Sequence, residues 1–116
     1  MKDYNFEIDI DGVKYPLVFN LNVMEAIQDE YKTVDKWAEL TDGKNGIEPN
    51  AKAIKFGFMQ MINEALDIEA EETGDTPIKY NLKQIGRILS KAGLNEVNNQ
   101  MQTAFIESVK DDEKNA

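Results

Sequence analysis

The chain has 116 residues, 41% of them hydrophobic and 30% charged, which suits one domain with a real apolar core and argues against global disorder. It contains neither Cys nor His, so disulfides, thiolate or imidazole metal sites, Cys nucleophiles and His-dependent triads are excluded. Thirteen basic against 22 acidic residues leave a net charge of -9, which argues against broad electrostatic attachment to nucleic acid or anionic lipid.

The N-terminal region carries the clearest local signal. Tyr4, Phe6, Ile8 and Ile10 alternate with Asn5, Glu7 and Asp9, and Asp11-Gly12 follows at once, so a strand enters a two-residue turn. Asp-Gly favours the type I′ geometry, which sets the register: Ile10 opposite Val13, Ile8 opposite Tyr15, Phe6 opposite Leu17 and Tyr4 opposite Phe19. Four apolar pairs then share one face. Pro16 falls at a non-hydrogen-bonded pair, where its missing N–H costs the ladder nothing, and Glu7 and Asp9 guard the outer edge of the first strand.

Asn22 with Glu25 three residues on resembles a capping box, and Val23, Ile27 and Tyr31 recur behind it at helical spacing. Thr33 is the expected cap of a second short helix with the stripe Val34, Trp37 and Ala38. The stretch TDGKNGIEPN, Thr41 to Asn50, breaks that helix and reads as a mobile loop. The longest helix is predicted from Pro49 or Ala51 to about Glu72, on the stripe Ile54, Phe58, Met61, Ile62, Ala65 and Ile68. The run EAEETGD and Pro77 end it in an acidic loop. Asn81 then caps a fourth helix with Leu82, Ile85, Ile88, Leu89 and Ala92 inside, and Gly93 stops it. Asn95 starts a fifth, with Val97, Met101, Ala104, Phe105 and Val109 as its stripe, before the charged tail over 111–116. The expected fold is a single α+β domain over 1–110, mostly helical, with an N-terminal β-hairpin followed by about five α-helices. No apolar stretch approaches the ~20 residues that span a bilayer, and acids stand where a signal peptide has its apolar run, so a cytoplasmic protein is expected.

Chemistry on this chain would have to use carboxylates, Lys or hydroxyls. The acids cluster at Asp9 and Asp11, at Glu69, Glu71 and Glu72, and at Asp111, Asp112 and Glu113, all places where solubility explains them. Setting Gly46 at the sixth position of a calcium loop puts Thr41 first and Lys52 twelfth, where acids are needed, so an EF-hand fails. No phosphate-cradling GxxxxGK[ST] or GxGxxG occurs, and the basic row Lys79, Lys83, Arg87 and Lys91 is too sparse to grip a nucleic-acid backbone. No enzyme activity and no cofactor are expected. Adaptable apolar surface is what remains. Phe56 and Met59 lie roughly 130 to 170° from the stripe of the longest helix, and Ile106 roughly 140° from that of the last, at ~100° per residue. With Met101 they are the candidate partner-binding residues, provided that the fold does not bury them.

The segment YNFEIDIDGVKYPLVFNLNVMEAIQDEY, Tyr4 to Tyr31, resembles the opening of the small tail assembly chaperones of tailed phages and prophages of Gram-positive bacteria. The motif-like positions are Gly12, Tyr15, Pro16, Leu17 and Phe19, while Val18 stands where family members typically carry Arg or Lys. The resemblance implies a non-catalytic protein of the host cytoplasm that binds the tape measure protein while the tail tube polymerises, with the major tail protein as a second candidate partner. It implies no nucleic acid and no membrane, and because the motif is structural it carries over no binding residue. The four residues above would then form a groove for an amphipathic helix of the tape measure protein. An acidic inhibitor or DNA mimic is the rival reading, and another phage structural or interaction protein is the third.

Overall fold

Alternation of apolar and polar residues builds the hairpin. Strand β1 (Asn5–Ile10) pairs antiparallel with β2 (Val13–Val18), with Phe6 opposite Leu17, Glu7 opposite Pro16, Ile8 opposite Tyr15 and Ile10 opposite Val13. The computed structural model describes residues 5–42, 48–93, 96–100, 103 and 106, so the expected pair of Tyr4 with Phe19 lies outside the described residues. Asp11 and Gly12 have φ of 55° and 82°, both in the region a type I′ turn demands, and the Gly12 N–H donates to Asp9 Oδ1 at 3.1 Å. Ile8, Ile10 and Leu17 are buried, and each contributes about 1.5–3 kcal/mol relative to an exposed side chain. Tyr15 and Phe6 are half-buried on the same face, whereas Val13, beside the turn, is 50% exposed.

Helix α1 (Leu21–Tyr31) is capped two residues before the expected position. Asn20, in extended backbone, accepts the N–H groups of Asn22 and Val23 at 3.1 and 3.2 Å. Asn22 cannot take that role because it lies inside the first turn, where its amide donates to Glu64 Oε2 at 2.7 Å. In α2 (Val34–Thr41) the cap is Thr33 as expected, its Oγ1 accepting from the Lys36 N–H at 2.9 Å. Thr41 is helical and buried, so the loop is shorter than its composition implies. A 2.7 Å bond from the Asn50 N–H to the Leu40 carbonyl joins its ends, and its centre, 43–47, lies outside the described residues.

Asn50 caps α3 (Ala51–Thr73), whose stripe is buried at Ile54, Phe58, Met61, Ile62 and Ala65 and half-buried at Ile68. The helix is central: β2, α1, α2 and α4 (Leu82–Ser90) all pack on it. Trp37 is fully buried against it, with its Nε1–H donating to the Ala53 carbonyl at 2.9 Å. The next turn carries Gly57 at the point of closest approach, where an added Cβ would run into the indole. A residue that reads in the sequence only as a weak helix former is therefore a packing requirement.

The acids 69, 71 and 72 are helical rather than part of a loop, because α3 continues to Thr73 and ends at Gly74 (φ 79°), whose N–H donates to the Ala70 carbonyl. Asn81 and Gln84 form a full capping box at the start of α4, and Ile85 and Leu89 are buried. A fifth helix follows, described at 96–100, 103 and 106, with Val97 buried. Its expected cap Asn95, the stripe residues Met101, Ala104, Phe105 and Val109, and the tail 111–116 lie outside the described residues. Among the described residues no helix is long and apolar enough to cross a membrane.

Candidate functional site

The residues proposed from sequence do not form one exposed face. Phe56 belongs to the core, 9% exposed, and meets Tyr31 of α1 edge-on, with ring centroids 5.6 Å apart and planes at 75°. The second face of the long helix is consumed by α1, and the condition for a free Phe56 is not met. Met59 is half-buried against the core, Ile106 is 47% exposed on the fifth helix, and Met101 lies outside the described residues. Tyr31, which completes the contact with Phe56, has a buried hydroxyl without a hydrogen-bond partner among the described residues. Burial first, and the neighbouring Glu30 carboxylate second, raise its phenol above the usual 10.0.

The surface that stays open lies along the C-terminal half of α3. The segment 75–80, which returns the chain towards α4, is held against the helix by Asn63: its amide donates to the Tyr80 carbonyl at 3.0 Å and its Oδ1 accepts the Tyr80 N–H at 2.9 Å. Lys79 adds an ion pair to Asp67 at 3.0 Å. Between helix and segment runs a concave tract in two joined parts. A cavity of about 200 Å³ is lined by Leu66, Glu69, Ala70, Thr73, Pro77 and Ile78, among others. A wider one of about 500 Å³ shares Ala70, Asp75 and Pro77 with it and adds Asn22, Glu64, Asp67 and Glu71.

Helical spacing explains the lining. Glu64, Asp67 and Glu71 stand at i, i+3 and i+7 on one row, and Leu66, Ala70 and Thr73 at i, i+4 and i+7 on the next. Glu64 is tied down by two side-chain amides, Asn20 Nδ2 and Asn22 Nδ2, each at 2.7 Å, so the N-terminus of α1 is locked to this row. Of these acids the sequence reading singles out only Glu71, as part of a helix end, and passes over Glu64 and Asp67; the row spacing is the signal that joins them to Leu66 and Ala70.

Among the described residues no group of three or more acids is arranged to hold a metal ion. What the tract offers is fixed negative charge around a small apolar floor, a combination suited to non-covalent docking. Compared with known proteins, the chain matches no family model, no curated protein and no solved structure.

Proposed function

We propose that the chain is a non-catalytic tail assembly chaperone of a tailed phage or prophage, which binds the tape measure protein, and secondarily the major tail protein, in the host cytoplasm. The observation that carries this reading is the likeness of Tyr4–Tyr31 to the opening of that family, with its Asp-Gly turn and its Y-P-L strand. In support, the motif-like residues are ones the fold uses: Gly12 makes the turn, Pro16 sits opposite Glu7, and Leu17 and Phe19 are buried. Val18, which stands where the family typically has a basic residue, is buried here, an environment that favours an apolar side chain. The strong negative charge keeps a complex with an aggregation-prone partner dispersed.

The test is co-expression of the tagged chain with the tape measure protein from the same genome. Recovery of a soluble complex is expected; a tape measure protein that stays as insoluble as it does beside an unrelated acidic domain overturns the reading. The non-catalytic part is overturned by a substrate-dependent turnover that disappears when one carboxylate of the folded region is replaced.

A further inference from the structure

The last turn of α3 holds Glu71 and Glu72 and no basic residue, with Glu69 just before it and Asp75 just after its glycine cap. The helix macrodipole and the unpaired carbonyls make that end negative already, so these carboxylates stand where a helix is better served by Lys or Arg. Glu69, Glu71 and Glu72 are all exposed. At the same end, Ile78 is 68% exposed, the largest exposure among the described large apolar residues, although the Asn63–Tyr80 clamp fixes the backbone that carries it. An apolar side chain held out rigidly therefore meets Glu69, Glu71 and Asp75 in one concave tract, floored by Leu66, Ala70 and Pro77, whereas Glu72 turns to the hairpin side of the helix, beside Phe6 and Pro16.

From this juxtaposition we infer that the tract between α3 and segment 75–80 is a docking groove for a Lys- or Arg-bearing peptide segment of another protein, with an apolar anchor that seats beside Ile78 and Pro77. Charge complementarity selects the occupant. A second copy of the chain would bring its own -9 against the same carboxylates. A basic segment instead neutralises Glu69, Glu71 and Asp75 and meets the negative end of the α3 dipole. The inference concerns the chemistry of the bound segment, whichever protein carries it, and stands apart from the tail-assembly reading.

The probe is a synthetic amphipathic helix with Lys on one face and Leu on the other, titrated into the isotopically labelled full chain. Amide shifts are expected to concentrate on 64–80, and affinity to fall steeply with salt. The variant Glu69→Gln/Glu71→Gln/Asp75→Asn should weaken binding by about tenfold or more, and Ile78→Ser by several-fold. A control that removes three exposed acids elsewhere, Glu25→Gln/Asp29→Asn/Glu39→Gln, should change it by less than about twofold. Equal losses in the two triple variants, shifts spread over the acidic surface or centred on the edge of β1, or equal binding of a Lys peptide without Leu, would each overturn the groove. Because the mapping uses the unaltered chain, it decides the matter even for a variant that folds poorly. Failure here leaves co-purification with the tape measure protein untouched, so the two proposals fall separately.

Discussion

The two halves of α3 are one continuous helix with opposite surroundings. From Ala53 to Ile62 it is enclosed: Trp37 lies on Ala53 and Gly57, Tyr31 on Phe56, and Tyr15 of the hairpin meets Phe58 edge-on at 6.5 Å. From Asn63 to Thr73 its cover thins out: it is buried at Ala65, half-buried at Leu66 and Ile68, and exposed at Glu69 and from Glu71 on. The same backbone thus serves as the centre of a core in one half and as a charged outer wall in the other. Composition follows enclosure. Small and aromatic residues occur where neighbours enclose the helix, and carboxylates where the cover is partial.

The largest effect expected from this contrast comes at Gly57. In an exposed helix, Gly→Ala is favourable by about 1 kcal/mol. Here an added Cβ also comes within 2.9 and 3.0 Å of Trp37 Cε2 and Nε1, and the indole is tethered to Ala53 by a hydrogen bond. Overpacking of this kind outweighs the propensity gain, so Gly57→Ala is expected to destabilise the fold by about 2 kcal/mol, read as a lower urea midpoint. Trp37→Leu in the same chain should absorb part of that loss, since it removes the side chain that collides. An Ala variant as stable as the parent would break the description of the enclosed half.

Glu64 stands at the border between the halves. Glu64→Ala removes the acceptor of the Asn20 and Asn22 amides and should cost about 1 kcal/mol, less than two ideal charge-assisted bonds, because Asn22 is exposed. The measurement is again a denaturant midpoint, with Asn20 retained as cap of α1. An unchanged midpoint would mean that the two halves are joined by apolar packing alone.

Tyr31 sharpens the enclosed side through its unpartnered hydroxyl. Tyr31→Phe keeps the ring on Phe56 and removes a buried O–H without a partner, so a gain of about 1 kcal/mol is expected. The sign with pH follows from the raised phenol pKa: the unfolded chain ionises first, so the contribution linked to this group is intact below pH 10.0 and the parent loses it as pH rises above that value. The difference between Phe variant and parent should therefore widen in alkali, and thermal melts of both proteins on either side of pH 10.0 check it. A constant difference would place the hydroxyl in water.

At the open half the expected effect is smallest and opposite in direction to that at Gly57. Glu71→Gln with Glu72→Gln relieves repulsion at the negative end of α3, raising stability by about 0.3 kcal/mol each, a rise in melting temperature that salt should diminish. If this pair instead destabilised the domain as much as Gly57→Ala, the charged wall would belong to the fold after all.

Much of the architecture was legible in the order of residues. The hairpin, its Asp-Gly turn and its register follow from alternation and turn chemistry, which are local. The Thr33 and Asn81 caps follow from side chains that bond backbone three residues away. The cap of α1 was misplaced because Asn20 and Asn22 are chemically alike. Only Glu64, 42 and 44 residues further on, draws the side chain of Asn22 into another bond. The expected partner residue Phe56 failed for a related reason. Periodicity placed it correctly off the main stripe, but whether that second face meets solvent or Tyr31 depends on how α1 packs across α3.

What the sequence determined by itself was therefore much of what acts over a few residues: strand, turn, the caps Thr33 and Asn81, the bounds of α3 to within a residue or two, and the excess of acids. Only the tertiary structure decided which faces those elements spend on one another. Gly57 became the seat of an indole twenty positions away, and six residues after a glycine cap the chain was pinned back onto Asn63, leaving Ile78 outside. The physical reason is that local bonds are selected by neighbours in the chain, whereas burial is a competition among all apolar faces of the molecule, settled only when they pack.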